Sequence, residues 1–104
     1  FVRRFINGKL PVSQAAYDKT RAIIPQFAAA DGWQIHGKTG SGRMRDTAGK
    51  FDGDNWLGWF VGWAEKSDRR VVFARLNIAD WKRKQPISYV TRDTLIADLP
   101  TLVK

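Results

Sequence analysis

The sequence has no cysteine, one histidine and one methionine among its 104 residues. The lack of cysteine excludes disulfides and thiol catalysis, and a single histidine leaves too few ligands for a zinc site. We therefore expect no metal and no other cofactor. No apolar run approaches the roughly 18 residues that a membrane span needs, so we expect no membrane partner. The chain begins at Phe1 without an initiator methionine or a visible signal peptide, which indicates a piece of a longer protein.

The length is that of one domain, and the composition is sufficient for a core. Apolar residues make up 43% of the chain, and the aromatic residues comprise six Phe, five Trp and two Tyr. A formal net charge of +8 favours anionic partners. The charge is concentrated in segment 66–84, whose basic residues outnumber its two acidic ones. These basic residues are Lys66, Arg69, Arg70, Arg75, Lys82, Arg83 and Lys84.

Turn signals and apolar periodicity predict an α+β fold with three antiparallel strands packed with helices. Ser13 is the predicted N-cap of the first full helix, and Pro25 ends it. Four glycines among charged residues predict a loop over 40–54. In chain order, the predicted elements are a helix end at 1–6, a helix at 13–24, strands at 33–39, 56–64 and 71–78, and a helix at about 88–99.

Residues 32–39 match the letters of a phosphate-binding loop, but their pattern is that of a strand. A phosphate loop needs a helix N-terminus directly after its Lys, so that backbone N–H groups can bind the phosphates. Here the residues before Lys38 alternate like a strand, and a glycine-rich segment follows it. We therefore do not predict nucleotide binding.

The Lys-Thr-Gly triplet at positions 38–40 becomes informative together with the next two strands. A triplet alone is common by chance, but Gly58-Trp59 and Gly62-Trp63 come next, and then the run from Phe73 to Asn77. With His36-Gly37 before the triplet, these residues resemble the C-terminal part of class D, oxacillinase-type serine β-lactamases. The resemblance covers nearly the whole chain and is poorest over 41–55. It implies the C-terminal part of a β-lactamase/transpeptidase-like fold.

The resemblance also implies roles for individual residues. Lys38 would lend positive charge beside the nucleophile. Thr39 and Gly40 would bind the substrate, with the Thr39 hydroxyl on its carboxylate. The backbone N–H of Ser41 would be an oxyanion-hole donor. Arg92 would pair with the same carboxylate.

The family's nucleophile motif, Ser-x-x-Lys, is absent, and so is Tyr-Gly-Asn. Ser88-Tyr89-Val90 matches a third motif in letters, but it comes after Lys38 in the chain, and we interpret it as coincidence. We therefore predict that residues 1–104 are the C-terminal segment of one β-lactamase-like domain, inactive alone, whose partner is the missing N-terminal part. The resemblance implies β-lactam substrates and a periplasmic location, with a signal peptide outside this chain.

Two alternatives remain open. A penicillin-binding sensor or transpeptidase domain shares the Lys-Thr-Gly motif. A small basic nucleic-acid-binding module would use segment 66–84 and show salt-dependent affinity. Against the latter, the aromatic residues lie in strands that look buried and do not alternate with the basic residues, as a stacking platform requires. We therefore expect no nucleic-acid partner.

Overall fold

A computed structural model describes residues 1–80 and 85–104. The predicted roles of Lys82, Arg83 and Lys84 lie outside the described residues. Helices α1 (Val2–Ile6) and α2 (Gln14–Ile23) come first, followed by strand β1 (Gln26–Ala28) and a single 3₁₀ turn (Ala30–Gly32). Strands β2 (Gln34–Arg45), β3 (Phe51–Lys66) and β4 (Arg69–Asp80) then lead to helix α3 (Ile87–Leu102). The α+β prediction is confirmed.

The described strands form one antiparallel sheet in the order β1-β2-β3-β4. The prediction of three strands is wrong, because the three-residue β1 pairs with the start of β2. The prediction of a loop over 40–54 is also wrong except at 46–50, the turn between β2 and β3. Strands β2 and β3 pair through this glycine-rich region, from Gly40 opposite Trp59 to Arg45 opposite Phe51, with an irregularity after Arg43. Cross-strand pairing here overrides the weak strand propensity of glycine.

The helix boundaries reflect local signals. Ser13 caps α2 as predicted, because its hydroxyl accepts a hydrogen bond from the Ala16 N–H at 3.2 Å. Helix α2 ends at Ile23, just before Pro25. The side chain of Ile23 is exposed, and none of the residues of this helix is fully buried. Helix α3 continues through Pro100 to Leu102 instead of ending there.

Helix α3 covers one face of the sheet and forms the core with it. The buried side chains of this core are Trp33, Ile35, Phe60, Ala64, Leu95 and Leu99. Burial of these large apolar side chains is the main source of stability, at about 1.5–3 kcal/mol for each fully buried large one. The sheet therefore has an α3 face, and the opposite face carries α1 and α2.

The face opposite α3 is only partly covered. Helix α1 packs on it through Phe5, whose ring lies 5.7 Å from that of Trp63. Further along the same face, Trp59, Leu76 and Ile78 are exposed by 40%, 40% and 53%. Monomeric proteins seldom leave such large apolar side chains side by side in water. Among the described residues, no helix is both long and apolar enough to cross a membrane.

Candidate active site

The Lys-Thr-Gly triplet lies in the middle of β2. The Lys38 side chain is exposed, and its Nζ donates a hydrogen bond to the backbone carbonyl of Thr39 at 2.8 Å. Among the residues described, this ammonium has no carboxylate partner. Its chain also borders a cavity of about 130 Å³ between the sheet, α1 and α2. Lys38 is therefore an uncompensated positive charge at the strand.

The backbone of β2 has one open edge beside this charge. The Gly37 N–H bonds to the Pro25 carbonyl, so Gly37 directs its backbone groups away from β3. Backbone direction alternates along an antiparallel strand, so Thr39 and Ser41 direct theirs to that same side. Strand β1 ends its pairing at His36, and no other strand of the described part flanks this edge. The N–H of Ser41 thus faces outward, available to a ligand.

Gly40 keeps this edge accessible. A Cβ added to it would meet nothing within 4 Å, and the residue is exposed opposite Trp59. An extended ligand can therefore approach the strand closely, as in binding by strand addition.

The hydroxyl side chains of the triplet region lie on the other face from Lys38. Thr39 is paired with Phe60, which belongs to the α3 face, and Ser41 is paired with Gly58. The hydroxyl of Ser41 donates to that of Ser88 in the first turn of α3 at 2.7 Å. Ser88 is 3% exposed. Sequence reasoning gives it no role, because its motif follows Lys38 in chain order, and the bond to Ser41 does not test that interpretation.

Arg92 lies one turn further along α3. Its Nε donates to the Asp93 carboxylate at 2.8 Å. Its guanidinium carbon lies 4.6 Å from the ring centre of Tyr89 and 5.5 Å from that of Phe27. The guanidinium is thus held by two aromatic faces and an acid. No described contact joins it to Thr39 or Lys38, so the structure does not bring Arg92 into direct contact with the triplet.

The described part of the basic segment binds the protein itself. Arg75 forms a salt bridge of 2.8 Å with Asp98 of α3. Arg69 donates to the Val103 carbonyl, and Arg70 to the Ile6 carbonyl. Guanidinium groups engaged in this way are structural, so these observations do not favour the nucleic-acid alternative.

His36 is the centre of a polar cluster on the face opposite α3. Its ring stacks on Trp63 with centres 4.7 Å apart, and its Nε2 lies 3.8 Å from a Glu65 oxygen. Glu65 accepts hydrogen bonds from Arg21 at 2.7 Å and from Trp63 Nε1 at 2.9 Å. Burial lowers the pKa of His36, assisted by Arg21 and opposed by the Glu65 charge. Burial alone would raise the pKa of Glu65, but the hydrogen bonds from Trp63 and Arg21 outweigh it and lower that pKa.

This cluster predicts acid-sensitive stability. A histidine whose pKa is depressed in the folded state binds its proton more readily when unfolded. The contribution of His36 to folding stability is therefore fully present above the ordinary histidine pKa near 6.5. It declines as the pH falls from there towards the depressed pKa of the folded state. Because the pKa of Glu65 is also lowered in the folded state, the protein loses further stability at pH values below the ordinary pKa range of a glutamate.

The measurement is the melting temperature of the complete protein at several pH values between 7.5 and 5.5, for the natural sequence and for His36→Gln. We expect the melting temperature of the natural protein to fall more on acidification than that of the variant, because the glutamine at position 36 cannot take up a proton. Equal slopes would contradict this interpretation.

Across ranges 1–80 and 85–104, no group of three His, Cys, Asp or Glu side chains is placed to hold a metal ion.

The chain matches a known protein family over most of its length. Residues 3–91 match the family model of the penicillin-binding protein transpeptidase domain. The chain belongs to this family.

Individual relatives narrow the comparison to the class D β-lactamases. The chain is 52% identical over 103 residues to β-lactamase OXA-9 of Klebsiella pneumoniae, and equally to that of Klebsiella aerogenes. The match covers 99% of this chain and 38% of each relative. The resemblance inferred from the motifs is confirmed.

Two solved structures agree with this placement. The crystal structure of the OXA-427 class D β-lactamase is 39% identical, with a TM-score of 0.82, over 98% of this chain and 41% of that one. The C-terminal domain of the Bacillus licheniformis BlaR penicillin receptor has a TM-score of 0.64 at 22% identity, over 90% of this chain and 35% of that one. The latter likeness shows the fold alone.

Proposed function

We propose that this chain is the C-terminal segment of a serine β-lactamase that hydrolyses β-lactams through an acyl-enzyme. The chain spans 38% of the length of the curated relatives that it matches. The single observation that carries the proposal is the open β2 edge, where the Lys38 ammonium bonds to the Thr39 carbonyl and towards which the Ser41 N–H is directed by the alternation of the strand.

In this mechanism, the chain supplies one wall of the site, and the serine nucleophile comes from the missing part. Lys38 attracts the anionic substrate and stabilises charge next to the nucleophile. Thr39 and Gly40 bind the substrate along the strand edge. The Ser41 N–H donates to the oxyanion that develops on the attacked carbonyl. Arg92, on the α3 face, supplies the second cation for the substrate carboxylate in this proposal.

The partly bare sheet supports the placement of residues 1–104 within a larger domain. Strand β4 is paired on one side only among the described residues, and Trp59, Leu76 and Ile78 lie exposed nearby. An unpaired edge and an apolar face are surfaces that a neighbouring segment of the same domain covers. We infer that the N-terminal part does so, and that the whole protein is exported to the periplasm.

The decisive experiment compares the complete protein with the isolated 104-residue chain. We expect the complete protein to hydrolyse nitrocefin and to form a covalent adduct with a labelled penicillin. The isolated chain is expected to do neither, because it contains no activated serine. Detection by mass spectrometry of an acylated serine within residues 1–104 would contradict this assignment of roles.

The same experiment separates the second candidate, a penicillin-binding sensor or transpeptidase, which the family match favours. A sensor or transpeptidase would form a lasting acyl adduct with little turnover. Rapid release of the adduct and continuing nitrocefin hydrolysis would instead identify a β-lactamase. Absence of both labelling and hydrolysis in the complete protein would overturn the proposal.

A further inference from the structure

The first turn of α3 is joined to the strand that carries the proposed oxyanion donor. Ser88 is only 3% exposed there, and its hydroxyl lies 2.7 Å from that of Ser41, a residue 47 positions earlier in the chain. A hydrogen bond between two such distant positions fixes one element relative to another. The contact is thus a point of attachment between α3 and β2.

Gly58 makes this attachment possible. It lies directly opposite Ser41 in the register of β2 and β3. A Cβ at Gly58 would lie 2.5 Å from the backbone nitrogen of Ser88 and 2.6 Å from the carbonyl carbon of Ile87. Any side chain at position 58 would therefore push the start of α3 away from the sheet and separate the two hydroxyls.

Thr91 provides a second attachment one turn later. Its buried hydroxyl lies within hydrogen-bonding distance of the Gly58 carbonyl, at 3.1 Å, and of the Ile87 carbonyl, at 3.0 Å. The start of α3 is consequently held to two neighbouring strands, to β3 through Thr91 and to β2 through Ser88.

Of these two attachments, only that of Ser88 acts on β2, the strand with the open edge. Beyond Gly37, β2 is hydrogen-bonded to β3 on one side and open on the other within the described part of the sheet. A donor that stabilises a developing charge must already stand in place, because its reorganisation would add to the barrier. A strand held along one edge alone does not provide that rigidity, and a side-chain tether at the donor residue itself does.

We propose that Ser88 is a positioning residue, whose hydrogen bond to the Ser41 side chain holds the Ser41 N–H in place for the oxyanion. This inference rests on the proposed function. It assigns to Ser88 a role that depends on its hydroxyl and acts through Ser41, without contact to the substrate.

The experiment uses the complete protein and Ser88→Ala. We expect kcat for nitrocefin to fall about fivefold or more, which corresponds to the loss of one ordinary hydrogen bond. KM is expected to stay within twofold. The affinity of a boronic acid inhibitor, whose tetrahedral adduct directs an oxygen towards the oxyanion donor, should weaken by a similar factor. A residue that merely stabilises the fold would lower the melting temperature without weakening this affinity well below that temperature.

Two further variants keep the test decisive if Ser88→Ala folds poorly. Ser41→Ala removes the other hydroxyl at an exposed position and should give the same loss in kcat. The double variant should lose no more than the larger single loss, because both changes break one bond. Thr94→Ala is the matched control, since among the described residues its hydroxyl bonds to the Thr91 carbonyl of its own helix, and its kinetics should be unchanged.

The outcomes separate this inference from the proposed function. An active protein in which Ser88→Ala and Ser41→Ala leave kcat and boronate affinity within twofold overturns the positioning role alone. Additive losses in the double variant overturn it as well. A complete protein that neither hydrolyses nor binds β-lactams covalently overturns the proposed function and this inference together.

Discussion

Replacement of Gly62 by alanine is expected to destabilise the sheet strongly in its present register. A Cβ there would overlap the backbone carbonyl of His36 and lie 2.7 Å from the Cα of Gly37, its cross-strand neighbour. These are backbone atoms within a paired strand, so no side-chain rotation relieves the overlap. Ordinary overpacking already costs about 1–3 kcal/mol, and a backbone clash exceeds that.

The measurement is thermal unfolding of the complete protein. A loss of at least 3 kcal/mol lowers the melting temperature by about 6–12 °C in a domain of 150–250 residues, and we also expect a lower soluble yield. Gly42→Ala is the matched control, because a Cβ there meets only Leu57, at an ordinary 3.5 Å. A Gly62→Ala protein that melts like the Gly42→Ala protein would show that β2 and β3 can shift apart without loss.

Replacement of Lys38 by alanine in the complete protein is expected to lower kcat/KM by roughly 10²–10³-fold, the range found when a preorganised electrostatic donor is removed. The reason is its position: its ammonium has no acid partner among the described residues and bonds to the Thr39 carbonyl at the open edge. Nothing else on the described strand supplies a charge at that point. The kinetics should be measured with nitrocefin and with a penicillin.

Lys50→Ala tests whether the effect belongs to the position or to net charge. Lys50 is an exposed lysine of the turn between β2 and β3, so its loss changes the net charge equally. We expect its kcat/KM to stay within a factor of two. If Lys38→Ala and Lys50→Ala have the same kcat/KM, Lys38 does not act at the site. The role proposed for Lys38 would then be wrong.

Elements set by local signals were predictable from the sequence. The cap at Ser13 and the stop at Pro25 bound α2 closely. A short turn joins the predicted strands at 56–64 and 71–78, with Lys66 opposite Arg69. The position of the Lys-Thr-Gly triplet in a strand was predictable as well, because the triplet is a contiguous motif and the residues before it alternate in polarity.

Features that depend on distant partners were not predictable. The sequence 40–45 has the composition of a loop, and it becomes a strand only because β3 lies beside it. The bond between Ser41 and Ser88 requires α3 to pack over Gly58. No pattern in the sequence of β2 or of α3 predicts this packing. The environment of Arg92 likewise depends on Phe27, which lies in β1, a strand that was not predicted.

The packing of α3 has a consequence for synthesis on the ribosome. The side chains that this helix covers, among them Trp33, Ile35 and Phe60, are made earlier than Leu95 and Leu99, which complete their core. During translation, the growing sheet therefore exposes its apolar face until residues 87–102 have left the exit tunnel. Over that interval the nascent chain presents the kind of surface that chaperones bind, and a stalled ribosome would prolong its exposure.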